Sequence, residues 1–188
     1  MKKGFRATKA APFAAGIALC GLFAGTVPAA AQTGTVTGLP IPRYVSLKTD
    51  RVNLREGPSK DHRTSWVFQR AGLPVEIMAE HETWRRIRDA EGTEGWVLHS
   101  LLSGRRTAQV SPWSKADANG ETKPIDLLDR AEEGAPTIAR LQPGVITSVK
   151  SCVGSWCHVV VAVPNARDLA GYVRQDRLWG VYPNERVE

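Results

Sequence analysis

One block of this sequence occurs twice. Gly72 is followed twelve residues later by Trp84, and Gly144 by Trp156 at the same distance. Gly95-Trp96-Val97 has its counterpart in Gly171-Tyr172-Val173, Leu102 in Leu178, and Gly104 in Gly180. The offset is 72 up to the tryptophans and 76 from Gly171 onward, so the second copy carries four extra residues between Trp156 and Gly171. Self-similarity of this kind fixes the architecture as two like units before any single element is assigned. A unit of about sixty residues buries little core and is marginal alone. Two such units are expected to pack together, and each leaves little room for a catalytic cleft.

The strand pattern inside each copy is short and closely punctuated. Residues 32–43, rich in Gly, Thr and Pro, read as a flexible lead-in. Module one is expected over 44–104. Val52-Asn53-Leu54-Arg55 alternates apolar and polar residues, the period of a half-buried strand. Trp66-Val67-Phe68, Val75–Met78, Trp84–Arg88 and Gly95-Trp96-Val97 follow as further strands, and His99–Leu102 reads as a short helical turn. Module two is expected over 124–182, with Ile125-Asp126-Leu127 standing where Val52-Asn53-Leu54 stands in module one. Residues 105–123 are assigned to a linker, whose start, Arg105–Val110, could add a strand, and 183–188 to a polar tail. Short strands with no stretch of helical period predict an all-β fold of two tandem small barrels.

The N-terminus reads as an export signal. Lys2, Lys3, Arg6 and Lys9 precede an apolar run from Ala10 to Ala24, and Ala29-Ala30-Ala31 supplies a small-residue cut site. Residues 1–31 are therefore expected to be a cleaved signal peptide, placing the mature chain in the periplasm. The run is short and Ala- and Gly-rich for a membrane span, and no other stretch of the mature chain could cross a bilayer. Cys20 follows Leu19, a poor residue before a lipidated cysteine. Without the leader, 21 basic residues face 19 acidic ones, so +6 falls to +2. Nucleic-acid binding, which a high pI would suggest, loses its main support. Two cysteines remain, Cys152 and Cys157, at what reads as a hairpin tip. A disulfide, a redox pair and half a metal site are the readings of such a pair. The C-x-x-C spacing of a redox pair is absent and His158 alone adds too few ligands for a metal, so the pair is read as a bridge.

Val52-Asn53-Leu54-Arg55-Glu56-Gly57-Pro58, then Trp84-Arg85-Arg86-Ile87, Gly92 and Gly95-Trp96-Val97, resemble the opening strand, loop and late strands of bacterial SH3-like (SH3b) domains. Module two is similar in Trp156-Cys157, Gly171-Tyr172-Val173 and Leu178-Trp179-Gly180, and departs at Leu128-Asp129-Arg130, which lacks the Arg-Glu-Gly-Pro run. The whole chain resembles exported two-module SH3-like proteins of unknown function from proteobacteria. The resemblance implies two SH3-like barrels and a binding role, often at the cell wall. It implies no catalytic residue and no cofactor.

Two sets of residues could carry binding. If Ile87 enters the core, strand alternation puts Trp84, Arg86 and Arg88 together on the outer face. A ring beside guanidinium groups suits a peptide carboxylate or a sugar face. In the plainer alternative, Trp84 lids the barrel and the arginines are solvated. The second set is the loop from Arg55 to Trp66, where Trp66, His62 and Arg63 would form one wall of a groove. Eukaryotic SH3 domains use the corresponding long loop to grip Pro-rich peptides; here Trp66 could equally be core. Catalysis finds no support. The four histidines, His62, His81, His99 and His158, form no metal pair, no nucleophile elbow occurs, and Cys157 and His158 point to opposite faces of a strand. The sequence therefore predicts an exported, non-catalytic binding protein whose partner is peptidoglycan, through its peptide stems, or an extended peptide of an envelope protein.

Overall fold

The computed structural model describes residues 32–111 and 123–188. The expected leader with Cys20 and the polar centre of the expected linker lie outside the described residues. Gln32–Thr33 (β1) pairs with Pro40–Ile41 (β2) in a small hairpin, so the expected lead-in is ordered. Module one follows as Arg43–Leu47 (β3), Val52–Arg55 (β4), Thr64–Phe68 (β5), Pro74–His81 (β6), Trp84–Arg88 (β7), Glu94–Leu98 (β8), a 3₁₀ turn at His99–Leu101, and Leu102–Ser103 (β9). Its antiparallel sheet runs β5-β4-β8-β7-β6-β3-β9.

Module two repeats this strand for strand: Thr107–Val110 (β10), Ile125–Leu128 (β11), Thr137–Leu141 (β12), Ile146–Val153 (β13), Trp156–Val161 (β14), Leu169–Arg174 (β15), a 3₁₀ turn at Gln175–Arg177, and Leu178–Trp179 (β16). The order is β12-β11-β15-β14-β13-β10-β16, the same as in module one. The structure corrects the expected boundary here. Thr107–Val110, assigned to the linker, is the first strand of module two, pairing with β13 and β16. Ala108 and Val110 are fully buried in its core. Residues 104–106 alone join the two sheets, and the polar stretch lies between the first and second strands of module two. The tail is likewise tied in, because Cys152 and Val187 exchange backbone hydrogen bonds of 2.9 and 3.2 Å.

Each sheet curls around one core, built from the inward residues of alternating strands. Val52, Leu54, Phe68, Ile77, Ile87 and Val97 fill module one, and Leu127, Leu141, Val149, Val159 and Val173 fill module two. The repeated glycines have one reason each. Gly72 and Gly144 turn with φ of 76° and 83°, a left-handed region that suits glycine. Their amides donate to Leu47 and Val110 at 2.8 and 2.9 Å, closing the same turn twice. A Cβ on Gly95 would come within 2.5 Å of Leu54, and one on Gly171 within 2.8 Å of Leu127, so the core leucine fills that space.

The two modules dock through a buried polar and aromatic junction. Glu76 is 2% exposed and receives Arg88 through Nε at 3.1 Å and Nη2 at 2.5 Å. The hydroxyl of Tyr182, from module two, donates to the other Glu76 oxygen at 2.7 Å. Tyr44 packs edge-on against Trp179 at 5.1 Å and tilted against Tyr182 at 4.6 Å. Burial, then the adjacent Glu76 carboxylate, pushes the Tyr182 phenol far above its ordinary range. The Thr107 hydroxyl donates to the Gly72 carbonyl at 2.8 Å, and Arg70 to the Gly144 carbonyl at 3.1 Å.

Candidate functional site: a cationic cleft over Trp84

The inward side chains of β4, Val52 and Leu54, are fully buried, which turns Asn53 and Arg55 outward. Arg51, one step upstream at the same parity, is also exposed. On the next strands, Trp84 stands opposite Leu98. Arg55 reaches across the loop that follows β4 and donates to the carbonyls of Lys60 at 3.0 Å and His62 at 2.6 Å. That clamp sets Lys60 over the sheet. The result is a cleft of about 260 Å³ lined by Arg51, Asn53, Arg55, Lys60, Trp84, Leu98 and Leu101. Trp84, 7% exposed, forms its floor. None of Arg51, Arg55 and Lys60 is paired with a carboxylate among the described residues. The arrangement offers an apolar ring under positive charge, fit for an anionic group on an apolar stem.

The expected residues divide. Trp84 and Arg55 meet in this cleft. Trp84, Arg86 and Arg88 do share a face, but the arginines are engaged elsewhere: Arg86 with Glu94 at 2.6 Å, and Arg88 with Glu76 in the module junction. His62 is exposed, its imidazole against Gly57 and its carbonyl held by Arg55. Arg63 pairs with Glu56. Trp66 does not join that wall. It stands opposite Leu54, on the other face of the sheet from Arg55, and is 56% exposed rather than core. Arg51, Asn53, Lys60, Leu98 and Leu101 were missed by the sequence reading. The signal for Arg51 was present, since 51, 53 and 55 continue the period-2 alternation of β4 upstream.

The repeat places an equivalent cleft in module two. Trp156, Asp126, Glu133, Arg174 and Arg177 line a wider opening of about 860 Å³, with Lys123 at its rim. They occupy the seats of Trp84, Asn53, Lys60, Leu98 and Leu101. The chemistry differs: the Arg174 guanidinium lies 5.7 Å from the Trp156 ring centroid and donates to Glu133 at 2.8 Å. Module two's ring is thus covered by the protein's own cation. His158 packs on Tyr172 at 4.9 Å nearby.

At the same end of β14, buried in the core, Cys152 and Cys157 are bridged, S–S 2.00 Å, as a directly opposed cross-strand pair. Among the described residues, no group of three or more His, Cys, Asp or Glu side chains is placed to hold a metal. No helix among them is long and apolar enough to cross a membrane.

The family model described as "Bacterial SH3 domain" matches the chain twice, over residues 48–104 and 121–180. No curated protein matches the sequence. Among solved structures, "Structure of NlpC2 from Trichomonas vaginalis" is similar at 12% identity and a TM-score of 0.31, over 73% of this chain and 48% of that one. The chain thus spans about half the length of that structure, and a likeness so slight bears on neither activity nor ligand.

Proposed function

The chain belongs to the bacterial SH3 domain family, and on that footing we propose that it is an exported, non-catalytic binding protein of the cell envelope whose ligand is the peptide part of peptidoglycan. Domains of this family are typically binding modules, often connected with the cell wall. The observation that carries the reading is the cleft over Trp84. Arg51, Arg55 and Lys60 hold positive charge at its edge, and among the described residues no carboxylate pairs with them. Peptide stems present free carboxylates on short aliphatic residues, and such groups match a cationic rim over an indole floor. The basic, apolar and small-residue pattern of residues 1–31 supports export to the periplasm. Module two supports the site by fixing module one through the Glu76 junction, while its own cleft is self-neutralised.

The test is pelleting of the purified protein with insoluble sacculi, with and without soluble muropeptides. Saturable pelleting that muropeptides compete away supports the reading. Absence of pelleting at moderate salt overturns it and leaves an extended, acidic peptide of an envelope protein as the ligand of the same cleft.

A further inference from the structure

Trp66 is the only tryptophan among the large apolar side chains that are strongly exposed in the described residues, at 56%. A singly exposed apolar side chain is ordinary on a protein surface; what sets Trp66 apart is its surroundings. It does not stand over open surface. With Phe68, Leu73 and Ala90 it walls a pocket of about 220 Å³, whose remaining lining is Asp89, Glu91, Thr93 and, from module two, Gln109. The pocket lies on the face of β4–β5 away from Arg55, so it is separate from the cleft over Trp84. Its size is below the roughly 300–1,000 Å³ of sites for drug-sized ligands, which points to a single side chain or headgroup as occupant.

The polar groups give that occupant a sign. Asp89 is 9% exposed, and its Oδ1 accepts the amides of Glu91 at 3.0 Å and Thr93 at 2.8 Å. These bonds pin the carboxylate in the wall of the pocket. Its second oxygen has no hydrogen-bond partner or ion pair among the described residues. Glu91, on the rim, is exposed and has no ion pair among them either. The amide of Gln109 adds a neutral acceptor from the neighbouring module. One oxygen of the Asp89 carboxylate is thus held by backbone amides and the other is left open on the pocket, beside an exposed indole.

The geometry points to a second binding site at the junction of the modules, for an aliphatic ammonium group such as a lysine-type side chain: methylenes against Phe68 and Leu73, the charge between Asp89 and the Trp66 face. The site stands independently of the proposed wall-binding cleft. Its polarity is opposite, so one chain could hold a positive and a negative group of a ligand at two places.

The experiment uses the full chain with 5-fluorotryptophan, the Trp66 resonance being assigned with Trp66→Phe. The probe is N-acetyl-lysine amide, which has one ammonium and no carboxylate; the control is N-acetyl-norleucine amide. The expected result is a saturable shift of the Trp66 resonance with the lysine probe, roughly tenfold weaker with the neutral one. Glu91→Gln should weaken binding by about threefold. Asp89→Asn should abolish it, and a fluorine spectrum with the other tryptophans unmoved would show that this variant is folded. If it is not folded, Thr93→Val, which keeps the backbone donor, together with Glu91→Gln, tests the rim. A Trp66 resonance that does not move, or moves equally with both probes, overturns the site. Sacculus binding, read separately, reports on the Trp84 cleft and not on this pocket.

Discussion

Glu80 and Cys152 occupy the same seat in the two modules. Each follows an equivalent register shift, after Ile77 in β6 and after Val149 in β13, and each faces its partner directly across a hairpin. In module one the partner is Arg85, with Nε 3.5 Å from the Glu80 carboxylate and both side chains almost fully buried. In module two it is Cys157, and the pair is covalent. A segment flanking the module docks on each seat. The turn after β1 brings the amides of Val36 and Thr37 to Glu80 at 2.9 and 2.8 Å, with Arg43 joining at 2.8 Å. The tail brings Val187 to the backbone of Cys152. One seat is closed electrostatically and the other by a bond, so the modules should answer differently to acid and to reductant.

Acid should release the N-terminal hairpin first. Burial opposes ionisation of Glu80, but the Thr37 hydroxyl, Arg43 and the Thr37 and Val36 amides outweigh it and hold the carboxyl at about 2, below its ordinary 4.5. A lowered value stabilises above the unfolded value and is lost as pH falls through the folded one. The contact is therefore intact above pH 4.5 and goes as pH falls toward about 2. Amide shifts of Val36 and Thr37 followed by NMR should titrate near the lower value. A midpoint near 4.5 would show that Glu80 does not bind the turn.

Reductant should act on module two. Closing the short loop between Cys152 and Cys157 stabilises by about 2 kcal/mol on the chain-entropy view. Replacing both cysteines with alanine should lower the unfolding midpoint accordingly and release Val187, while ligand binding by module one persists. Unchanged denaturation curves would mean that the bridge contributes nothing.

Arg51→Ala with Lys60→Ala should weaken sacculus binding by about 1–2 kcal/mol, roughly five- to thirtyfold, without moving the unfolding midpoint. Both side chains are exposed and neither is ion-paired among the described residues, so folding does not depend on them. Arg55→Ala is a poorer test, because Arg55 also clamps the carbonyls of Lys60 and His62. Added salt should reduce wild-type binding and leave that of the double variant nearly flat. Equal salt dependence of the two proteins would place the ligand elsewhere.

Tyr182→Phe removes the donor to Glu76 and leaves one oxygen of a buried carboxylate without a partner, at a cost of about 1.5–3 kcal/mol. Arg88 still neutralises Glu76, so module one should stay folded. The loss should appear as separation of the two modules' unfolding transitions in calorimetry. A single transition at the wild-type temperature would show that the junction is held by the aromatic contacts alone.

Much of this was legible in the chain. The glycine and tryptophan spacing reports the repeat because the turns at Gly72 and Gly144 and the leucine-filled spaces at Gly95 and Gly171 admit little else. The bridge was legible because six residues span the hairpin tip. The strand at Thr107–Val110 was legible but its place in module two was not, since Leu47 corresponds to Val110 at an offset of 63 while Leu54 corresponds to Leu127 at 73, and the polar stretch between the strands breaks the period. The fate of Arg86 and Arg88 was hidden too. Their partners, Glu94 and Glu76, come from neighbouring strands, and in β6 the register depends on a bulge that no local pattern announces. Trp66 stands apart from His62 and Arg63 because it lies opposite Leu54, which faces the core, while Arg55, the next residue along β4, faces the other side and clamps the loop.

The place of β10 ahead of the polar stretch has a mechanical meaning. A tether between two domains would set their spacing by its length, and lengthening it would let them drift apart. Here that stretch falls in sequence between two strands of the same sheet, β10 and β11, and the chain passes between sheets in three residues. Insertions there, or a protease nick, would leave the two tryptophan clefts at an unchanged separation. The distance between the two clefts is therefore held by the Glu76–Tyr182 junction, whatever the length of that stretch.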